Sequence, residues 1–158
     1  LPLKVVRFMP NTPAQVGAGM TAVCTNDQVS EDELAEILKI TDSFGCTEVI
    51  PERLMDAAGA VGGCSPAYVF MFIDALIDAG IRNGLTRGEA TVLAVQTVSG
   101  AADMVNETDT PVSELIQRVC SKGGTTIEAV KVLEENNFRS IIGDAVDACV
   151  KRSKELSE

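Results

Sequence analysis

Hydrophobic residues follow two different spacings along this chain, and the spacing changes near residue 50. Short β-rich runs bounded by turn residues predict three strands, at residues 5–9, 19–24 and 47–50. Ser30 and Glu33 match a capping box, and apolar residues at helical spacing follow, so we expect a helix that Gly45 ends. The order strand, strand, helix, strand predicts an α/β remnant that is too small to form a complete sheet.

After Pro51 the pattern is helical throughout. Pro51 and Glu52 begin a short helix, which we expect to run out in the glycines between 59 and 63. Ser65 and Pro66 predict the N-cap and first residue of a longer helix that Gly84 ends. Four more helices are predicted: from capping boxes at 86–89 and 125–128, from Thr110–Pro111, and along an apolar stripe at 141–149.

The two long helices predicted at 66–83 and 86–106 have few polar residues on any face. Helices of this kind are buried, either in a large core or against another subunit. A chain of 158 residues has little room to bury both of them alone. The pattern therefore favours an intertwined oligomer.

Composition narrows the chemistry. Thirteen Lys and Arg against 23 Asp and Glu give a net charge of -10, which would repel a phosphate backbone and excludes a nucleic-acid partner. The chain has no His, so it lacks the usual general base and the commonest metal ligand. Its five cysteines contain no C-x-x-C pair, and we predict no metal site.

Targeting signals are also missing from the pattern. Scattered single cysteines and the lack of an uninterrupted apolar run of membrane-spanning length predict a cytoplasmic protein with no membrane partner. The start, Leu1–Lys4, has neither a Met nor the layout of a signal peptide. We expect it to be a cut made inside a larger protein.

Two glycine-containing segments are candidate ligand sites. Residues 17–22 match the G-x-G-x-x-A form of a dinucleotide fingerprint, but no helix is predicted there, so we interpret the glycines as easing entry into a strand. Residues 121–126, Ser-Lys-Gly-Gly-Thr-Thr, precede a helix start, whose free N–H groups suit a carboxylate or a phosphate. Spacing alone also fits an ordinary glycine turn into a capped helix, and does not decide between the two.

The same loop carries a family resemblance. Residues 111–134 resemble the signature of pyrroline-5-carboxylate reductases, through Pro111, Leu115, Val119, Cys120, Ser121, Gly123, Gly124, Thr126, Ala129, Val130, Leu133 and Glu134. Further matches lie at 9–13 (Met-Pro-Asn-Thr-Pro), 65–68 (Ser-Pro-Ala-Tyr) and 138–140 (Phe-Arg-Ser). Together they cover nearly the whole chain in the family's order.

The resemblance implies a mainly α fold. Residues 1–50 would be the C-terminal remnant of an NAD(P)-binding Rossmann domain, and residues 51–158 an all-helical dimerisation and substrate-binding domain. That domain would form an intertwined homodimer, and the number of dimers in the assembly is left open. The family's fingerprint and first strands are absent from this chain, so we expect it to be inactive alone.

The resemblance also implies a function, the reduction of 1-pyrroline-5-carboxylate to L-proline with NADPH or NADH, the last step of proline biosynthesis. Ser121 and backbone N–H groups around Gly123, Gly124 and Thr125 would hold the substrate carboxylate. Thr126, the implied catalytic residue, would hydrogen-bond the ring nitrogen. Hydride transfer to an imine needs positioning and a hydrogen-bond donor but no His.

Further contacts follow from the resemblance at three other places. Glu52 would lie near the substrate end of the site. Candidate cofactor contacts are Asn11, Pro13 and Arg118, the last at a position where the family has an Asn. Cys64 stands where the family usually has a Ser, and no basic partner is evident to activate its thiol.

Two alternatives use the same fold. One is a non-catalytic helical oligomerisation module, against which the intact Ser-x-Gly-Gly-x-Thr loop argues. The other is a related cyclic imine or hydroxyacid reductase with a different carboxylate substrate.

Overall fold

Helices dominate the fold, together with one small three-stranded sheet, so the expected mainly α class is confirmed. A computed structural model describes residues 3–157, and the expectation about Leu1 and Pro2 lies outside them. The chain forms two compact units, one of Leu1–Val69 with Gly143–Glu158 and one of Phe70–Ile142. The domain boundary after residue 50 stays a prediction.

The sheet belongs to the first unit. Its three strands are β1 (Val6–Met9), β2 (Gly19–Thr25) and β3 (Gly45–Val49), in the order β1-β2-β3. β1 pairs antiparallel with β2, which pairs parallel with β3. Since β2 is the central strand, its residues from Thr21 to Cys24 are buried. The three predicted strands are confirmed within one or two residues.

Helix α1 (Glu31–Asp42) connects β2 and β3. The predicted capping box forms, with the Glu33 N–H donating to Ser30 Oγ at 3.3 Å and the Ser30 N–H donating to Glu33 Oε2 at 3.0 Å. Gly45 does not terminate the helix but begins β3, where a side chain at this position would overlap the carbonyl oxygen of Gly19. The close approach of two strands, and not a helix end, explains this glycine.

The helical segment that follows differs from the prediction. A 3₁₀ turn (Glu52–Leu54), helix α2 (Met55–Ala58), a π-helical turn (Gly59–Cys64) and helix α3 (Pro66–Arg82) succeed one another. The expectation that the glycines would end the helix is wrong, because the wider π turn accommodates them. Ser65 is not an extended N-cap either, since its backbone is helical (φ -66°, ψ -18°) and its hydroxyl donates back to the Val61 carbonyl.

The continuous run from Glu52 to Arg82 is 31 residues long, and an 18-residue window within it has a mean hydropathy of 1.6. By length and composition alone it meets the criterion for a membrane-crossing helix, although Asp74 and Asp78 interrupt it. The absence of a membrane partner stays a prediction.

The second unit is helical. It contains most of α3, then α4 (Arg87–Glu107), α5 (Val112–Val119), α6 (Thr125–Glu135) and the start of α7 (Phe138–Ser157). α3 ends where predicted, with Gly84 at φ 99° and the Leu85 N–H donating to the Gly80 carbonyl at 3.1 Å. A second predicted capping box, Thr86 with Glu89, begins α4 and is confirmed.

The core of the second unit is small. Ile77 on α3 packs against Ala90 and Ala94 on α4, and these three side chains are buried. Both helices leave large apolar side chains exposed on other faces: Phe70, Met71, Phe72, Val92, Leu93, Val95, Met104 and Val105. A single chain therefore leaves much of the apolar surface of α3 and α4 in water.

Candidate active site

The chain turns from α5 into α6 over Cys120–Gly124, in the second unit. Gly123 has a φ of 75°, a left-handed conformation that glycine adopts without steric cost. Gly124 returns to an extended backbone (φ -80°, ψ 170°) and is the N-cap of α6. Its N–H donates to the Ser121 carbonyl at 3.0 Å, which closes the turn. The two glycines thus make the loop compact just before a helix begins.

Ser121 lies directly over Gly124. A Cβ added at Gly124 would overlap Ser121 Oγ and would lie 3.1 Å from the Ser121 carbonyl oxygen. The missing side chain at position 124 is therefore what allows the Ser121 hydroxyl to stay next to the start of α6. No comparable contact restricts Gly123, where an added Cβ meets nothing within 4 Å.

The start of α6 is open. Gly124 has no side chain to cap it, and the helix has no side-chain N-cap hydrogen bond. The predicted capping box of Thr125 with Glu128 does not form, because Gly124 takes the cap position and Thr125 is already the first helical residue. Glu128 instead pairs with Lys131 at 2.6 Å. Backbone N–H groups in a first turn without a cap attract an anion.

Thr126 is the second residue of α6 and is half-buried. It is therefore not the cap of this helix. Ser121 and Gly124 are in contact at the start of α6, and Thr126 lies in its first turn. The roles of these residues stay a prediction.

Arg118 lies in the last turn of α5. Its guanidinium donates to Glu114 at 2.8 Å, one helical turn earlier, and both side chains are exposed. This is a surface ion pair of a common kind, worth little in stability. The proposed cofactor contact would have to compete with it.

Asn11 and Pro13 lie in the first unit, where the chain leaves β1. Pro13 is in the first turn of a short 3₁₀ helix (Thr12–Val16). The Asn11 amide is already used by the protein: Oδ1 accepts from the Met20 N–H, and Nδ2 donates to the Gly62 carbonyl, both at 2.9 Å. The side chain thus connects β2 to the π-helical turn.

Glu52, also in the first unit, has two partners that sequence analysis missed. Its Oε1 accepts from Arg7 at 2.6 Å and its Oε2 accepts from the Cys24 thiol at 2.7 Å. Burial, followed by the Glu52 carboxylate, raises the pKa of Cys24 to about 11, so this thiol stays protonated. The hydrogen bond from Cys24 and then that from Arg7 lower the pKa of Glu52.

The register of the sheet explains this cluster. Arg7 and Cys24 are paired across β1 and β2, so they reach Glu52 from neighbouring strands. The predicted strand ranges do not fix this register, which only the assembled sheet shows. No motif spacing along the chain points to them.

A cavity of the second unit lies apart from the candidate loop residues, and no metal-binding group accompanies them within the described residues. The cavity, of about 630 Å³, is lined by four apolar side chains, among them Ile116, Leu133 and Phe138, and by four polar ones, and does not include Ser121 or Thr126. Within residues 3–157, no group of three or more His, Cys, Asp or Glu is arranged to hold a metal ion.

The fold is that of a helical protein with exposed apolar helix faces and a small three-stranded α/β piece. The family model for pyrroline-5-carboxylate reductase dimerisation matches residues 52–156. The chain belongs to this pyrroline-5-carboxylate reductase dimerisation family, which confirms the resemblance carried by the loop.

Individual relatives agree with the family match. The pyrroline-5-carboxylate reductase of Escherichia coli (strain K12) is 48% identical over 155 residues, which cover 98% of this chain and 58% of that protein. The one from Synechocystis is 47% identical, with 98% and 58% covered. This chain therefore spans less than two thirds of the length of these relatives.

Solved structures show the same fold. Plasmodium falciparum pyrroline carboxylate reductase, a crystal structure with NADP bound, superposes with a TM-score of 0.93 at 40% identity, covering 98% of this chain and 61% of that one. A pyrroline-5-carboxylate reductase from Coxiella burnetii gives a TM-score of 0.94 at 41% identity, with 98% and 58% covered.

Proposed function

We propose that this chain is the dimerisation and substrate-binding part of a cytoplasmic pyrroline-5-carboxylate reductase, which reduces 1-pyrroline-5-carboxylate to L-proline with NADPH or NADH. The observation that carries the proposal is the loop before α6, where the Ser121 hydroxyl lies over a glycine beside a helix start that has no side-chain cap. The names of the relatives support the same activity.

The loop supplies what a carboxylate substrate needs. Ser121 and the N–H groups of Gly123 and Thr125 bind the carboxylate, since a helix start favours negative charge, while the Gly124 N–H stays bonded to the Ser121 carbonyl. Thr126, one residue further along α6, hydrogen-bonds the ring nitrogen and so fixes the direction in which the imine carbon faces. Because the ring is held at both its carboxylate and its nitrogen, its orientation is defined.

The nicotinamide cofactor supplies the hydride. The described residues fit the nicotinamide end of this cofactor but not its pyrophosphate. Gly17–Gly19 lead into β2 and not into a helix, so this segment lacks the helix start that binds a pyrophosphate. The family resemblance assigns the nicotinamide end to the loop after β1, and Asn11 fixes this loop with two hydrogen bonds.

The resemblance assigns Glu52 to the substrate end and Arg118 to the cofactor. Glu52 already accepts hydrogen bonds from Arg7 and Cys24, so we assign it to shaping the substrate end and not to proton transfer. Its lowered pKa keeps it ionised at neutral pH. Arg118 would reach the cofactor only by giving up its pair with Glu114.

The active form is a homodimer in this proposal. The exposed apolar faces of α3 and α4 need a partner, and a second copy of the chain would bury them in an interface above roughly 2,000 Å². Neither a nucleic acid nor a membrane is a partner. A folded monomer at micromolar concentration in light scattering would contradict this assembly.

The catalytic assignment is tested by separating binding from the chemical step. In the complete protein, Thr126→Ala should lower kcat and kcat/KM by about ten- to a hundred-fold, the worth of a hydrogen bond to a charged or developing group. Ser121→Ala should mainly raise KM, because the carboxylate is bound alike in the ground and transition states.

Thr108→Ala is a matched control, since the Thr108 hydroxyl bonds only to the Met104 carbonyl at the end of α4. It should leave the kinetics unchanged. An unchanged kcat/KM in Thr126→Ala would remove the donor from the mechanism. If the unmodified protein oxidises NADPH with another cyclic imine or a keto acid but not with 1-pyrroline-5-carboxylate, that result would assign a different reductase. No NADPH oxidation with any of these substrates would favour a non-catalytic assembly module.

A further inference from the structure

The side chain of Asn11 joins three segments of the first unit that are distant in sequence. Asn11 itself follows β1, its Oδ1 accepts from Met20 in β2, and its Nδ2 donates to Gly62 in the π-helical turn. Both hydrogen bonds measure 2.9 Å and are partly buried. Only an amide offers an acceptor and a donor side by side, so neither Asp nor Leu, which are close to Asn in size, can make both bonds.

The π-helical turn gives this contact its partner. A π turn pairs each N–H with a carbonyl one residue further back than an α-helix does, and such turns are rare and concentrate at functional sites. Here the turn contains Gly59, Gly62 and Gly63. The Gly62 carbonyl accepts its hydrogen bond from Asn11, so a side chain from outside the helix stabilises the turn.

Met9 docks on the same turn from the other side of Pro10. A Cβ added at Gly59 would lie 2.7 Å from Met9 Sδ, and one at Gly63 would lie 3.6 Å from Met9 Cε. The glycines therefore leave the space that the Met9 side chain occupies. Met9 and Asn11 flank Pro10, so the chain is attached to the π-helical turn on both sides of this proline.

We propose that Asn11 is a positioning residue for hydride transfer and not a direct cofactor contact. It fixes the loop from Asn11 to Pro13 on the π turn, and this loop is the part of the chain that fits the nicotinamide end. The inference rests on the proposed function. A displacement of about 1 Å in a reacting group is enough to cost about a hundred-fold in rate, so a loop held at two points is valuable there.

Asn26 provides a matched control within the same unit. Its Oδ1 accepts from the Val5 N–H at 3.1 Å and its Nδ2 donates to the Leu3 carbonyl at 2.8 Å. It thus makes the same pair of backbone contacts as Asn11, but away from the π turn. The bonds of Asn26 are exposed whereas those of Asn11 are partly buried, so a purely structural role for Asn11 predicts a larger loss of stability than at Asn26 but no difference in kcat.

The experiment compares Asn11→Asp with Asn26→Asp in the complete protein. Asp keeps the acceptor for the Met20 N–H, loses the donor to Gly62 and places a carboxylate beside that carbonyl. We expect kcat to fall about ten- to a hundred-fold in Asn11→Asp. The dissociation constant for NADPH, measured by its fluorescence, should change little, because phosphate contacts supply much of the affinity for a dinucleotide. Asn26→Asp should leave both values unchanged.

Two further readouts complement the change in kcat, and the second of them does not depend on turnover. With NADPH deuterated at the transferred position, the kinetic isotope effect should rise in Asn11→Asp, because hydride transfer becomes slower relative to the other steps. In Asn11→Ala, hydrogen exchange at the Met20 amide should accelerate, because its acceptor is gone. Asn26→Ala should leave exchange at Met20 as it is.

A second perturbation avoids Asn11 altogether and covers the case in which its variants do not fold. Gly59→Ala forces Met9 away from the turn and should lower kcat, and the addition of Met9→Ala should restore part of the loss, because the space is freed again. Equal losses in the single and double variants would contradict the coupling between the turn and the loop.

The outcomes separate the two proposals. An unmodified protein that does not reduce 1-pyrroline-5-carboxylate overturns the proposed function and this inference with it. An active protein in which Asn11→Asp loses no more activity than Asn26→Asp overturns the inference alone. A large rise in the NADPH dissociation constant with kcat unchanged would also overturn it, because Asn11 would then be a binding contact.

Discussion

Replacement of Gly124 by Ala tests how closely the Ser121 hydroxyl is fitted to the start of α6. The Gly124 backbone, at φ -80° and ψ 170°, is in a region that alanine adopts without strain. The conflict is therefore confined to Ser121, whose Oγ the new methyl group would overlap. Since the Ser121 carbonyl lies 3.1 Å from the same methyl group, we expect the side chain to rotate away and the turn to open slightly.

The size of the effect follows from the bond that is lost. A hydrogen bond to a charged group contributes about 1.5–3 kcal/mol, which corresponds to a rise in KM of about ten- to a hundred-and-fifty-fold. The effect on stability should be small. Alanine is a poorer N-cap than glycine by roughly 0.5–1 kcal/mol, and it offsets this by restricting the unfolded chain by about 0.4–1 kcal/mol.

Gly123→Ala is the informative comparison, because it should affect stability more than substrate binding, the reverse of Gly124→Ala. An added Cβ at Gly123 meets nothing within 4 Å, but its φ of 75° is unfavourable for alanine by about 1–2 kcal/mol. We expect a lower melting temperature in Gly123→Ala, and a higher KM at a nearly unchanged melting temperature in Gly124→Ala. Steady-state kinetics and thermal melting of both variants provide the check. A Gly124→Ala variant with a normal KM would refute the role given to Ser121.

Three further outcomes follow from the structure. Tyr68, the single tyrosine of the sequence, has its pKa raised to about 12, first by its hydrogen bond with Cys149 and then by burial. Because the unfolded state loses this phenolic proton first, the stability that Tyr68 contributes should fall as the pH rises from about 10 to 12. Cys149→Ala should move the absorbance titration of Tyr68 towards about 10, with Tyr68→Phe as the blank. An unmoved titration in Cys149→Ala would contradict this. Thr86→Ala removes the cap of α4 and should cost about 1 kcal/mol in urea unfolding, whereas Thr91→Ala, within the same helix, should cost less. Met55→Ala, at a side chain only 1% exposed, should cost about 2–5 kcal/mol, and a loss below that of Thr86→Ala would contradict the packing around it.

Local signals accounted for most of the fold. The capping boxes at Ser30 and Thr86 and the helix end at Gly84 were predicted correctly, because each depends on residues three or four positions apart. The box expected at Thr125 fits the same pattern but is absent, since Gly124 offers an extended backbone one residue earlier. A spacing rule does not decide between two adjacent cap positions.

The glycine-rich stretch before α3 shows where such rules fail. By propensity alone, glycines at 59, 62 and 63 end a helix. In the structure the helix continues, because Met9 fills the space beside two of them and Asn11 bonds to the carbonyl of the third. Residues about 50 positions away provide these contacts, so no window along the sequence contains them.

The residues of the candidate site also differ in how far the sequence alone could predict their contacts. The loop from Ser121 to Thr126 is contiguous in sequence, so its motif could be found there, although the cap was expected at Thr125 and lies at Gly124. The contacts of Glu52 with Arg7 and Cys24 depend on the pairing of two strands and on the position of the helical segment. They could be found only after the sheet had been assembled.

The π turn also sets the phase of the helical segment. A π turn holds one residue more than an α-helix does over the same hydrogen-bonded span, and one residue corresponds to about 100° of rotation around a helix. Met55 before the turn faces the sheet of the first unit, and Tyr68 after it faces Cys149 on α7. Deletion of one glycine would remove no side chain from this segment, but it would rotate the following helix and turn Tyr68 away from Cys149. The length of this stretch is therefore constrained together with the glycine at position 59, and alignments of related chains should show no gaps between residues 59 and 64.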